Sequence, residues 1–261
     1  ADSPPNITDL TAIYKSAKKR FDEDETFKKD SRDHVVKLQA GDPECHVIWN
    51  LLCDVSRQEF QKVYDRLDVT LKEVGESFYN PMIPNTNDEL ESKGLVEDDL
   101  GMKIVRLPHF TIPLIVRKSD GGFGYDSTDM AALRYRTQTL KRNWIIVITD
   151  AGQAGHFHMC YDAARAAGWT RTHQTRLDHI PFGVVCGEDG KRFKTRSGDT
   201  VRLVDLLDAA RDRMKTSLEM RAAEGKTELS GAGLEAAAAA IGYGAVKYFD
   251  LKQHSSTDYI F

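Results

Sequence analysis

Apolar residues in the first third of the chain recur at the three- and four-residue spacing of amphipathic helices. The pattern predicts helices over residues 7–21, 27–40 and 46–67. A short strand is predicted at 69–71, where the character of the sequence changes. We therefore expect a helical block followed by a region with strands.

Shorter apolar segments follow this helical block. A helix is predicted over 86–93, because Gly94 supplies a typical helix stop. Short antiparallel strands are predicted around Val96, at 103–105 and at 111–116. Residues that precede proline favour extended backbone, which supports strands rather than helix here.

Strands and helices alternate in the second half of the chain. Two such β–α units imply a parallel sheet with right-handed crossovers, and ligands bind such sheets at the carboxyl ends of the strands. The predicted order is a helix at 129–143, a buried strand at 144–149, a helix at 153–168, a buried strand at 179–186, and helices at 201–215, 228–240 and 242–251.

Composition narrows the class of protein. With 261 residues, 41% of them apolar, the chain can bury a substantial core. No run of about 18 apolar residues predicts a membrane span. A net charge of −4 means that any contact with a polyanion must be a local patch. The four cysteines include no CxxC pair, which favours reduced thiols over a zinc site.

A glycine-rich segment follows the strand that ends at Val116. Its pattern, with Gly122, Gly124 and Ser127, lacks the third glycine of a dinucleotide fingerprint, so that interpretation is not favoured. Tyr125 and Asp129 are four residues apart and share one face if a helix begins here. A carboxylate beside a phenol suits a guanidinium or ammonium group. A helix cap with a core tyrosine remains the alternative.

Small residues follow the strand that ends at Thr149. Gln153 and His156 would then lie in the first turn of a helix, which is a natural anion-binding position. His156 and His158 are two residues apart and do not share a helix face, so a metal pair is not favoured.

A basic segment follows Val185 and a glycine turn. Its cations are Lys191, Arg192, Lys194 and Arg196, placed just before a predicted helix. Cations beside a helix N-terminus can hold phosphates and their developing charge. The segment is not a Walker A loop. A solvated surface turn is the alternative interpretation of this pattern alone.

Taken in order, these segments resemble the arginyl-tRNA synthetases over nearly the whole chain. The matching stretches are residues 52–57, 75–79, 118–122, 125–129, 144–156, 182–185, 191–198, 201–207 and 258–261. The resemblance implies an enzyme that activates arginine with ATP, accompanied by Mg²⁺, and transfers it to tRNA. Each motif is weak alone, and the ordered set is specific.

The resemblance also implies roles for individual residues. The arginine pocket would comprise Glu76 for the α-amino group, Tyr125 and Asp129 for the guanidinium, and Gln153. The ATP site would include His156 and the strand residues His179, Phe182, Gly183, Val184 and Val185. Lys194, Thr195, Arg196 and Ser197 correspond to the family's KMSKS loop, which stabilises the departing pyrophosphate.

The expected fold class is α/β, namely the second half of a class I synthetase Rossmann-like parallel sheet with a helical and antiparallel insertion and following helices. Residues 1–112 would form the insertion, 113–215 the half sheet with the KMSKS-type loop, and 216–261 a helical segment. That last segment would lead toward an anticodon-binding domain.

The family's HIGH motif and anticodon-binding domain have no counterpart in these residues. We therefore expect an inactive fragment of an arginine–tRNA ligase, whose tRNA contacts lie mostly outside these residues. We also expect no membrane contact and a cytoplasmic location, with an organelle as the alternative. The alternative is a catalytically inactive remnant that serves as a structural or binding subunit of a larger assembly.

Overall fold

The computed structural model describes residues 7–171, 173–186 and 202–260. The chain divides into two compact units, Ala1–Leu71 with Val201–Tyr248 and Lys72–Thr200 with Phe249–Phe261. Within the described ranges the first unit is helical and the second contains helices and strands. None of the helices described is long and apolar enough to cross a membrane.

Three helices open the first unit, and they confirm the three predicted from the apolar spacing. They are α1 (Ile7–Glu23), α2 (Glu25–Gln39) and α3 (Pro43–Leu67). Asp24 and Asp42 cap α2 and α3, since their carboxylates accept hydrogen bonds of 3.0 and 2.9 Å from backbone amides in the first turn.

The strand predicted at residues 69–71 is wrong. Asp68 ends α3 in the left-handed conformation, with φ of 52°, and residues 69–71 belong to none of the sheets among the described residues. Val69 and Leu71 are exposed, so no packing compensates for the absence of a partner. The local β preference of Val-Thr-Leu is therefore not sufficient to form a strand.

The predicted break between two helices at Gly242 is also wrong. The unit ends with α7 (Leu203–Ala223) and one continuous helix, α8 (Gly231–Leu251). A Cβ atom at Gly242 would lie 2.8 Å from the backbone nitrogen of Arg211 in α7. The glycine therefore allows close helix packing rather than ending a helix.

The second unit begins with a helical segment and a small sheet. A 3-10 helix (Glu76–Met82) leads into α4 (Ile83–Ser92), which starts earlier than the predicted residue 86. The antiparallel sheet then confirms the predicted strands, in the order β1 (Glu97–Asp99), β2 (Met102–Val105) and β3 (Leu114–Arg117).

The β–α alternation predicted for the second half is confirmed. The elements are α5 (Tyr125–Arg134), which continues as a π-helical segment (Tyr135–Thr139), then β4 (Trp144–Asp150), α6 (Ala154–Ala166) and β5 (Arg176–Phe182). Strands β4 and β5 pair in parallel, with Trp144 opposite Arg176 and Asp150 opposite Phe182.

The single strand predicted over 179–186 is divided at Gly183. The Gly183 amide donates to the carbonyl of Ser255 and the Val184 amide to Oδ1 of Asp258, each at 2.7 Å. A second short strand, β6 (Val185–Cys186), pairs in parallel with β7 (Tyr259–Ile260). The chain leaves β5 because these late residues satisfy its backbone.

One face of the β4–β5 pair carries the core of this unit. Ile145 and Leu177 are buried with residues of α5 and α6. On the opposite face Trp144, Ile146 and Ile148 are exposed. The prediction of fully buried strands is therefore wrong for that face within the described residues, where helices cover only one side of the pair.

Candidate functional site

The first turn of α5 is fastened to strand β3. The Ile115 amide donates to Oδ2 of Asp126 at 2.7 Å, and the Ser127 hydroxyl donates to the Val116 carbonyl at 2.8 Å. The intervening turn uses Gly121, whose φ of +83° is costly for other residues. The helix therefore begins at a fixed position beside the carboxyl end of β3.

Helix α5 begins four residues earlier than predicted, which places Tyr125 and Asp129 on its first two turns. The alternative of a helix cap with a core tyrosine is wrong. Gly124 occupies the cap position without a side-chain hydrogen bond, and Tyr125 is 66% exposed. A phenol ring and a carboxylate therefore lie near each other at an accessible helix start.

His156, in the first turn of α6, lies against these residues of α5. Its Nε2 atom is 2.7 Å from Oδ2 of Asp129, and its Nδ1 atom is 3.2 Å from Oδ1 of Asp126. The contact with Asp126 lies outside hydrogen-bond geometry, so it is an ion pair only. The Tyr125 ring meets the imidazole edge-on at 4.6 Å between centroids.

The charge of His156 follows from these contacts. Burial by itself lowers the pKa of the imidazole, but the ion pair with Asp126 and the hydrogen bond to Asp129 outweigh it and raise the pKa to about 12. The contact with Asp129 is the stronger of the two, because only it has the geometry of a hydrogen bond. The histidine is therefore a cation at neutral pH.

Cys160 completes the surroundings of the imidazole. Its sulfur lies 3.7 Å from Nε2 of His156, one turn further along α6. Burial raises the pKa of this thiol, so it stays protonated at neutral pH. The cluster of Asp126, Asp129, His156 and Cys160 thus contains two carboxylates, one cation and one neutral thiol.

Two other predicted arginine-site residues stand apart from this cluster. The Gln153 amide donates to Oδ2 of Asp150 at 2.6 Å. Glu76 is exposed at the start of the 3-10 helix and, among the described residues, forms no hydrogen bond or ion pair with Tyr125 or Asp129. The structure therefore joins Tyr125, Asp129 and His156, and leaves Glu76 and Gln153 outside the contact network.

The predicted ATP-site residues on β5 have their own contacts. Nε2 of His179 is 2.7 Å from the Thr149 hydroxyl on β4, and its ring stacks on Phe157 at 5.5 Å. Burial is the larger cause that lowers the pKa of His179, and the electrostatic effect of nearby His158 is the second. The His179 ring is therefore neutral at neutral pH. Phe182 is exposed at the end of the strand.

Beyond β5, the backbone amides of Gly183 and Val184 are already satisfied by Ser255 and Asp258. Val185 pairs with Tyr259 through the backbone of β6. The four residues assigned to the phosphate-binding loop fall outside the described ranges, namely Lys194, Thr195, Arg196 and Ser197.

Sequence reasoning missed Asp126 and Cys160. An acidic residue in the first helical turn, three residues before Asp129, is a signal that could have identified Asp126. No comparable signal marks Cys160, because its contact depends on how α6 packs. In the part of the chain that the structure describes, no group of three or more His, Cys, Asp or Glu residues could hold a metal ion.

Comparison with known proteins places the chain in a family. The family described as "tRNA synthetases class I (R), catalytic domain" matches residues 1–261. Arginine–tRNA ligase from Synechococcus sp. is 50% identical over 262 residues, which is 98% of this chain and 45% of that protein. The chloroplastic/mitochondrial arginine–tRNA ligase of Arabidopsis thaliana is 52% identical, over 98% of this chain and 40% of its own.

Solved structures agree with the sequence relatives. Arginyl-tRNA synthetase from Plasmodium falciparum superposes with a TM-score of 0.80 at 34% identity, over 98% of this chain and 41% of that one. The chain spans about 45% of the length of the Synechococcus relative. From the family match over its whole length and the identity of about 50% to these relatives, the chain belongs to the class I arginyl-tRNA synthetases and matches their catalytic domain.

Proposed function

We propose that the natural protein carrying these residues is an arginine–tRNA ligase, and that this region reads the arginine side chain. The observation that carries the proposal is the cluster on α5 and α6. Its two carboxylates outnumber its one cation, and its accessible members are Asp129 and Tyr125. A guanidinium pairs well with a carboxylate, and a phenol can add a hydrogen bond or ring contact.

Glu76 and Gln153 are proposed to complete the pocket when arginine binds. Gln153 lies at the start of α6, three residues before His156 of the cluster. Glu76 is exposed at the start of the 3-10 helix, which packs on α5 through Tyr79, Ala131 and Ala132. A free carboxylate suits the α-amino group of an amino acid.

ATP is proposed to bind at the carboxyl ends of β4 and β5, next to the arginine site. The residues involved would be His156, His179, Phe182, Gly183, Val184 and Val185. Because the Gly183 and Val184 amides have partners, this stretch would offer carbonyl oxygens and ring surface to adenine. Mg²⁺ would be bound together with ATP and held largely by the nucleotide phosphates.

The chemistry is proposed to use the basic loop. Lys194, Thr195, Arg196 and Ser197 would stabilise the negative charge on pyrophosphate as arginine attacks the α-phosphate of ATP. Residues 113–215 would form this half of the nucleotide-binding fold, 1–112 an insertion, and 216–261 the segment that leads on to tRNA-binding parts. The transfer to tRNA is proposed from the same family membership.

The test is arginine-dependent exchange of pyrophosphate into ATP by the natural protein, with lysine and citrulline as competing amino acids. We expect pyrophosphate exchange with arginine alone. Citrulline, for example, lacks the positive charge with which Asp129 would pair. In Asp129→Asn the arginine KM should rise, since an unpaired buried charge costs roughly 2–5 kcal/mol.

Asp162→Asn is the matched control, because Asp162 is also a helical carboxylate but pairs with exposed Arg165. Its arginine KM should stay at the wild-type value. Absence of arginine-dependent exchange, or an unchanged KM in Asp129→Asn, would contradict the proposed function.

A further inference from the structure

Both nitrogens of His156 are engaged by carboxylates. Nε2 is hydrogen-bonded to Asp129, and Nδ1 is paired with Asp126. The side chains of His156 and Asp126 are each 11% exposed, whereas that of Asp129 is 31% exposed. The histidine is thus the buried support of the cluster, and Asp129 is the member that a ligand can reach.

The formal charges in the cluster leave one negative charge uncompensated. Two carboxylates and one imidazolium sum to −1, and the raised pKa of His156 supports its protonated form. The other titratable groups that face the ring are the Cys160 thiol, which is buried and neutral, and the exposed Tyr125 phenol. One added cation would therefore neutralise the site.

The hydrogen bond to His156 also limits how Asp129 can turn. It engages Oδ2, and among the described residues His156 is the only side chain that forms a hydrogen bond or ion pair with Asp129. Oδ1 is consequently available to a ligand while the plane of the carboxylate is held. A bidentate or well-aligned guanidinium contact requires such a fixed carboxylate.

We propose that His156 is a positioning residue for arginine recognition. It orients Asp129 toward the guanidinium and neutralises the buried Asp126, so that the site accepts a ligand side chain with a single positive charge. This inference rests on the proposed function, and it assigns His156 to the amino-acid side of the site. Both ring nitrogens of His156 are engaged by carboxylates, so any contact of this residue with ATP would be made by the carbon atoms of the ring.

A purely structural role for His156 is the competing explanation. Its ring packs edge-on against Tyr125 and Phe157, with centroids 4.6 and 4.9 Å away. Such a role would make substitutions lower stability and kcat together, without a selective effect on arginine. A separation of KM from kcat, and rescue by a side chain that keeps the hydrogen bond, would distinguish the two roles.

The experiment uses His156→Ala and His156→Gln in the natural protein, with arginine KM and kcat measured by pyrophosphate exchange. Glutamine can donate to Asp129 from about the position of Nε2 but carries no charge. We expect the alanine variant to raise the arginine KM about tenfold or more with a smaller change in kcat, and glutamine to recover part of that loss.

His158→Gln is the matched control, because His158 is an exposed histidine on the same helix whose ring contacts Tyr161 and His179 instead. Its arginine KM should not change.

A double variant that combines His156→Ala with Asp129→Asn tests whether His156 acts through Asp129. If it does, the arginine KM of the double variant should be little higher than that of Asp129→Asn alone.

A second measurement covers the case in which His156→Ala does not fold. The side-chain NMR signal of His156, identified by its loss in His156→Gln, should remain that of an imidazolium up to about pH 9. Titration near pH 6.5, or an unchanged arginine KM in both His156 variants while Asp129→Asn is impaired, would overturn this inference and leave the proposed function intact. An unchanged KM in Asp129→Asn would instead remove the proposed function.

Discussion

Glu89 accepts a hydrogen bond of 2.7 Å from the indole nitrogen of Trp169, 80 residues further along the chain. Arg134 contacts the other carboxylate oxygen at 2.5 Å, and Lys93 adds an ion pair at 3.1 Å. This one carboxylate therefore ties α4 to α5 and to the end of α6. Asp129 lies on α5 and His156 on α6, so the contacts of Glu89 help to hold the two helices that carry the candidate site.

Replacing Glu89 by glutamine should destabilise the second unit. Burial raises the pKa of Glu89, but hydrogen bonds from Trp169, Arg134 and Lys93 outweigh it and lower the pKa to about 2. The loss should be about 1–3 kcal/mol, because hydrogen bonds to a charged group are removed. It can be measured by denaturant unfolding.

Glu91→Gln is the control for this variant, since Glu91 lies on the same helix and makes an exposed ion pair with Lys103. Its effect should be near zero. Because the pKa of Glu89 is lowered in the folded state, its stabilising effect is present above its ordinary pKa of 4.5 and is lost as the pH falls toward 2. Equal effects of the two substitutions would count against the network.

Gly242→Ala should destabilise the pair of helices α7 and α8. The added Cβ would lie 2.8–2.9 Å from backbone atoms of Ala210 and Arg211, which cannot move aside as a side chain could. We expect a loss of about 1–3 kcal/mol in the free energy of unfolding. Gly244→Ala, where no atom lies within 4 Å, should instead stabilise the helix by about 0.5–1 kcal/mol.

Gly183→Ala should displace the segment that crosses the end of β5. Its Cβ would lie 2.1 Å from the carbonyl oxygen of Thr257. The hydrogen bonds to Ser255 and Asp258 should weaken, and amides 183 and 184 should then exchange hydrogen faster than in the parent protein. Gly75→Ala, whose nearest atom would be 3.9 Å away, should leave the exchange of these amides unchanged.

The pH dependence of stability should reveal His156. Its pKa is raised from 6.5 to about 12 in the folded protein, because the ion pair with Asp126 and the hydrogen bond to Asp129 outweigh the effect of burial. Its contribution is complete below pH 6.5 and declines as the pH rises toward 12, since only the folded state retains the proton. The difference in unfolding free energy between wild type and His156→Gln should therefore shrink with rising pH. A difference that does not vary with pH would contradict this assignment.

Local spacing was sufficient for many elements of the fold. Helices α1, α2 and α3, the antiparallel strands and the parallel β4–β5 pair all follow from apolar periodicity and glycine or proline signals. The Tyr125–Asp129 pair also follows from sequence, because a four-residue spacing on a helix is a local relationship. The strand predicted at 69–71 and the break predicted at Gly242 failed because both depended on neighbours distant in the chain.

The sequence by itself therefore determined the family, the main helices and strands, and the carboxylate–phenol pair at the start of α5. Only the tertiary structure decided that His156, 27 residues beyond Asp129, bonds to that carboxylate and pairs with Asp126. It also decided that Gly183 meets Thr257 and that Glu89 meets Trp169. The physical reason is that hydrogen bonds and ion pairs depend on distances of about 3 Å, and such distances between remote residues are set by how helices and strands pack.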